Sequence, residues 1–109
     1  MEKGPARSGE QTRIMEPNKP KEPKTLKAMQ EEVDRYISQF KEGYFQPMTM
    51  LARMAEEVGE LAREINHVYG EKPKKPDEKE SSVELELGDI LFITICFANS
   101  LGIDLTEAH

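Results

Sequence analysis

Two sets of acidic residues stand at spacings that can do chemistry. One is Glu56, Glu57 and Glu60 in AEEVGELARE; the other is Glu86 and Asp89 in ELELGDILF. On a helix that advances about 100° per residue, positions three apart lie about 60° apart on neighbouring turns. Glu57 and Glu60 can therefore aim two carboxylates at one point, and so can Glu86 and Asp89. Glu57 borders an apolar stripe, and Glu86 and Asp89 lie beside Ile90, Ile93 and Phe97. Carboxylates so placed are partly desolvated, and four of them converging would repel strongly. A cation between them resolves the conflict, and an all-oxygen donor set suits Mg²⁺ or Mn²⁺ rather than zinc or copper. If the two helices pack antiparallel, the four acids make a divalent-cation cage. The competing reading is a non-catalytic helical oligomerisation or binding module, because acidic pairs at this spacing are also common on solvated helix faces.

Other chemistries find little support. Cys96 is the single cysteine, so there is neither an internal disulfide nor a Cys-rich zinc site. It reads as a buried apolar residue. The two histidines, His67 and His109, cannot build a His-rich site. A helical di-iron centre needs paired Glu-x-x-His motifs. Glu64 and His67 supply one copy only and read as an ordinary solvated pair. No glycine-rich phosphate loop is present. The net charge of -6 argues against binding a nucleic-acid polymer. No apolar run is long enough for a membrane span, and no signal peptide is recognisable. The expected location is the cytoplasm.

The 109 residues allow one small domain. Residues 1–24 hold four of the seven prolines and almost no apolar side chains, which predicts a disordered tail. The tail's charges sum to +2, leaving -8 on residues 25–109. That body reads as all-α, an antiparallel helical bundle completed by oligomerisation. A first helix is predicted over 25–42, capped by Thr25 and ended by Gly43. A second begins at Pro47, carries Leu51, Met54, Ala55, Val58, Ala62, Ile65 and Tyr69 on one side, and stops at Gly70. A charged loop, 71–80, contains Lys72, Lys74 and Lys75. A third helix opens with a capping box from Ser81 to Glu84 and runs to Leu101. Residues 90–101 are apolar around nearly the whole circumference, which predicts burial by a partner subunit. Asp104 and Glu107 begin a further helix that the chain does not finish. Met48, Met50 and Met54 are expected in the core, Tyr44 and Phe45 as an interhelical staple or else as a cover for a base, and Gly59 and Gly88 as points of close helix approach.

The motif Glu56-Glu57-x-x-Glu60, 25 residues, then Glu86-x-x-Asp89 resembles the EExxE…ExxD signature of MazG-like nucleotide pyrophosphohydrolases. The flanks YFQPMTMLARMAEEVGELAREINHVYGEKPKK and ELGDILFITICFANSLGIDLTEAH resemble the short YpjD-type members, and the likeness covers roughly residues 25–109. The resemblance implies an all-α dimer or tetramer that hydrolyses nucleoside triphosphates to monophosphates and pyrophosphate with Mg²⁺. It implies Glu57, Glu60, Glu86 and Asp89 as metal ligands, with Glu56 orienting or deprotonating the attacking water. Arg53 and Lys75 are candidates for phosphate contacts, and Asn99 for a ribose or base contact or for a bond to a backbone carbonyl. It also implies that the family's last helix, with further basic residues, is missing here.

Overall fold

The computed structural model describes residues 21–70 and 82–109. Among these are four helices and no strand: α1 Leu26–Ile37, α2 Pro47–Tyr69, α3 Val83–Ser100 and α4 Leu105–Ala108. The expected tail lies outside the described residues except for 21–24, which are exposed and non-helical. The loop 71–80, with Lys72, Lys74 and Lys75, also lies outside them.

Helix α1 starts as its sequence requires. Thr25 is extended, and its Oγ1 accepts from the Ala28 N–H at 3.0 Å. The helix ends at Ile37, five residues short of the expected Glu42. Ser38 Oγ donates to the Arg35 carbonyl at 2.7 Å, and the Gln39 and Phe40 N–H groups bond carbonyls only three residues back. This tightening replaces the regular helical ladder before Gly43 is reached. Gly43 then reverses the chain at φ +68°, a conformation open to glycine without steric cost.

Helix α2 has Pro47 at its first position and Gly70 after its last turn, as expected. Its sequence holds two stripes of equal period whose mean directions lie about 150° apart. One is Leu51, Ala55, Val58, Ala62, Ile65 and Tyr69; the other is Met50, Arg53, Glu57, Glu60, Glu64 and His67. The second stripe faces inward. Met50, Glu57 and Glu64 are buried, whereas Leu51, Val58, Ile65 and Tyr69 are exposed. The apolar stripe is thus an outer face of this chain, and the more polar stripe packs on α3. Met50 and Met54 join the core, but Met48 lies outside it at 75% exposure.

Helix α3 is capped by Ser82, whose side chain accepts from the Leu85 N–H at 3.1 Å. The expected box from Ser81 to Glu84 begins outside the described residues, and the cap at Ser82 puts Leu85 rather than a glutamate at the third helical position, so only a simple cap forms. The two serines are chemically equivalent as caps, and the extended backbone at Ser82 (φ -151°, ψ 160°) marks which one caps. The 90–101 run is largely enclosed through Ile93, Ile95, Cys96 and Ala98, but Leu91 and Leu101 remain exposed. Asp104 caps α4 through the Thr106 and Glu107 N–H groups.

Contacts set the helix directions. Met50, early in α2, shares the core with Ile93 and Cys96, late in α3, while Glu57 and Glu60 meet Glu86, near the start of α3. Asn99 bonds Gln30 and Phe92 meets Tyr36, so α1 also runs antiparallel to α3. Both helices lie against α3, with α2 making the larger interface. At the far end a polar clamp joins the elements. Gln30 Nε2 donates to Asn99 Oδ1 at 2.8 Å and to the Ile103 carbonyl at 2.9 Å, and Gln30 Oε1 accepts from the Leu105 N–H at 2.9 Å. Asn99 Nδ2 donates to the Gln30 carbonyl and to Tyr44 Oη, which in turn donates to Asp34 Oδ1 at 2.7 Å. Burial, reinforced by the Asp34 bond, holds the Tyr44 phenol above its usual pKa. Tyr44 is therefore the expected interhelical staple.

Two measurements test this packing. Gln30→Ala deprives the Leu105 N–H and Asn99 Oδ1 of partners at once and should cost about 1–2 kcal/mol in urea unfolding. Burial pushes the Cys96 thiol from 9.0 up to about 12. The folded state thus holds its proton where the unfolded chain would release it. This contribution to stability is complete below pH 9.0 and is lost as pH rises toward 12. A thiol reagent at pH 8 should label Cys96 only when denaturant opens the core.

Candidate metal centre

The middle of the α2–α3 interface holds carboxylates where a core would usually hold aliphatic side chains. Glu57 and Glu86 are only 4% and 5% exposed, and Asp89 and Glu64 are 7% and 6%. Oxygens of Glu57, Glu60 and Glu86 lie within 4.8 Å of one another. The helical spacing accounts for this meeting. Glu57 and Glu60 occupy successive turns of the inward stripe of α2, and Glu86 occupies the facing turn of α3. Asp89 follows one turn later on the same side of α3 but is not among the three mutually close groups. Glu56 is exposed at the neighbouring position on α2.

Glu57 Oε1, Glu86 Oε1 and Asp89 Oδ1 are almost completely removed from solvent. Ionised carboxylates in such surroundings need positive charge nearby. Arg53, one turn before Glu57, puts Nη2 3.9 Å from Glu57 Oε2. The donor set, all hard carboxylate oxygens contributed from two rigid helices, fits Mg²⁺ or Mn²⁺. Glu57, Glu60 and Glu86 are the residues that could hold it together, with Asp89 adjacent.

The remaining candidates separate from this centre. Asn99 sits ten residues beyond Asp89 on α3, about 15 Å along the axis. Its amide takes the backbone-carbonyl alternative through Gln30 and also bonds Tyr44. Lys75 lies outside the described residues. Gly59 and Gly88 do not serve close helix approach in this chain, for a Cβ added at either meets nothing within 4 Å. Both are exposed, on the sides of α2 and α3 turned away from the interface.

The family model for the MazG nucleotide pyrophosphohydrolase domain matches residues 45–109, a segment that contains every residue of this centre. The chain belongs to the MazG family. Among its relatives, the uncharacterized protein YpjD of Bacillus subtilis (strain 168) is 65% identical over 86 residues, spanning 79% of this chain and 78% of YpjD. The crystal structure of B. subtilis YpjD matches with a TM-score of 0.71 at 63% identity, covering 82% of this chain and 91% of that one. A crystal structure of the Bacillus-conserved MazG protein, a nucleotide pyrophosphohydrolase, matches with a TM-score of 0.70 at 61% identity, covering 82% and 85%.

This MazG-family interface extends beyond the motif acids. Glu64 is buried and His67 is half-buried with both ring nitrogens removed from solvent, so the expected solvated pair is corrected. Their signal was available in the alternating three- and four-residue spacing that continues from Met50 through Arg53, Glu57 and Glu60. A polar stripe at core spacing is easily assigned to solvent when a more apolar stripe runs beside it.

The centre makes a two-sided prediction. Without divalent cations, Glu86→Gln should raise the thermal midpoint, because it removes one of the mutually repelling charges. With Mn²⁺ or Mg²⁺ added, the wild-type midpoint should rise as for a ligand of the folded state. The rise should vanish in Glu86→Gln.

Proposed function

We propose that the protein is a Mg²⁺-dependent nucleoside triphosphate pyrophosphohydrolase, with Mn²⁺ able to substitute. It converts ribo- or deoxynucleoside triphosphates to monophosphates and pyrophosphate, as cytoplasmic house-cleaning of the nucleotide pool. The observation that carries this reading is the meeting of Glu57, Glu60 and Glu86 from two helices inside a MazG-family chain. The relative described as a nucleotide pyrophosphohydrolase supports it, sharing 61% identity with this chain.

Glu57, Glu60, Glu86 and Asp89 would hold the cation, which would supply positive charge to offset the charge that develops on pyrophosphate. The chain's own residues do the rest. Glu56, exposed beside Glu57, takes a proton from the attacking water. The water oxygen bonds the α-phosphorus as the bond to the departing pyrophosphate breaks. Arg53, half-buried at the edge of the centre, supplies a planar cation suited to paired phosphate oxygens. The buried acids cannot serve as that phosphate cradle themselves, because they carry the same sign of charge as the substrate.

The active assembly in this reading is a homodimer or homotetramer. The exposed Leu51, Val58 and Ile65 of α2, with Leu87 and Leu91 of α3, form apolar faces of the kind a second copy covers. No helix among the described residues is long and apolar enough to cross a membrane.

Pyrophosphate release across a panel of nucleoside triphosphates tests the proposal. Turnover should need Mg²⁺, stop with chelator, and fall at least 100-fold in Glu60→Gln and in Asp89→Asn. No release with any triphosphate in the presence of Mg²⁺ would leave a helical binding module.

A further inference from the structure

Two antiparallel helices can slide along each other, and a cation site shared between them tolerates little sliding. A slip of one turn moves facing residues by about 5.4 Å, and about half an ångström is enough to spoil a ligand's placement. The centre therefore gains from any contact that fixes the axial register of α2 against α3. Met50 and Ile93 share the core by apolar contact, which attracts without preferring a direction. Methionine in particular adapts its shape to its surroundings. A hydrogen bond adds what such packing lacks, a set length and direction.

Such a bond lies further along the same seam. Asn99 Nδ2 donates to Tyr44 Oη at 2.9 Å. Glu57 follows Tyr44 by 13 residues, and Glu86 precedes Asn99 by the same 13. Met50 precedes Glu57 by seven residues, and Ile93 follows Glu86 by seven. The carboxylates, the apolar pair and the Tyr44–Asn99 bond are thus successive levels of one register. Both partners of the bond are held in orientation. Asn99 Oδ1 accepts from Gln30 Nε2 at 2.8 Å, which turns its Nδ2 end toward Tyr44. Asp34 Oδ1 takes the phenol proton at 2.7 Å, which leaves an oxygen lone pair for Asn99. Pro47 opens α2 three residues after Tyr44, with a φ that its ring fixes, so a displacement of α2 is carried to the phenol.

We infer that Tyr44 is a positioning residue for the metal centre: its bond to Asn99 fixes the axial register in which Glu57 and Glu60 meet Glu86. The inference rests on the reading of these acids as cation ligands. The phenol itself touches neither cation nor nucleotide, so its contribution falls on metal affinity.

The test compares Tyr44→Phe, which keeps the ring and removes the hydroxyl, with Thr25→Ala, which costs α1 its cap away from the α2–α3 seam. Both are made in the full chain, and circular dichroism below the thermal transition checks that each is folded. The first readout is calorimetric binding of Mn²⁺ alone, which needs no turnover. Tyr44→Phe should raise the Mn²⁺ Kd about three- to tenfold. Thr25→Ala should lower the thermal midpoint yet leave that Kd within about twofold, as expected of a distant site. The second readout is pyrophosphate release. In Tyr44→Phe the Mg²⁺ concentration for half-maximal rate should rise by the same factor as the Mn²⁺ Kd. Excess metal should restore the rate, and the nucleotide KM at saturating metal should not move. An unchanged Mn²⁺ Kd in Tyr44→Phe would overturn the inference. So would an equal loss in Thr25→Ala, which would trace the effect to general stability. A raised nucleotide KM at saturating metal would overturn it too and put the phenol at the substrate. Weakened Mn²⁺ binding in Tyr44→Phe, with no pyrophosphate release from the wild type, would sink the hydrolase reading and leave the register inference standing. Release with identical metal dependence in both proteins would do the reverse.

Discussion

The structure depends on one electrostatic constraint. Acid side chains from α2 and α3 are enclosed in a helix–helix interface where like charges at close range repel. A purely apolar seam would be the simpler way to join two helices. This chain places Met50, Ile93 and Cys96 at one end of the seam and carboxylates in the middle. The apolar end and the packing of α1 on α3 hold the helices together. The middle is then free to keep a carboxylate geometry that does not itself contribute to stability. Rigid helices, unlike loops, keep donor oxygens in place despite their mutual repulsion.

The architecture was legible wherever local chemistry dictates it. Thr25, Pro47, Gly70 and Asp104 mark helix ends by caps and fixed dihedrals, and they sit where those rules put them. The convergence of Glu57, Glu60 and Glu86 was legible because three-residue spacing on a helix sets neighbouring turns on one side. The misread features share a different cause. The short end of α1 depends on Ser38 bonding Arg35, which competes with a ladder that the apolar spacing alone would prolong. The inward stripe of α2 was hidden because periodicity gives the angle between two stripes and not which of them a neighbour covers. Hydrophobicity decides that question only when the neighbour belongs to the same chain. Glu64 and His67 followed the same error.

The two ends of α3 do different work. Its first turns carry the acids, and its last turns carry Asn99, which reaches Gln30 and Tyr44 from two other elements. Nothing in the sequence marks Gln30 as the residue on which α1, α3 and the approach to α4 converge. It is a polar residue on an amphipathic helix, of a kind usually solvated. Hydrogen bonds between residues about 70 positions apart become visible only once the helices have a relative placement.

The exposure pattern of α2 also bears on how such a sequence can drift. One stripe answers to the carboxylates and the other to whatever lies outside the chain. Between them runs a third, Ala52, Glu56, Gly59, Arg63 and Asn66, all exposed. Variation in this helix should collect on that strip, with Glu56, the residue proposed to act on the water, as the exception, because there a residue can change without disturbing either neighbour. A 23-residue helix thus leaves about a third of its circumference to neutral change.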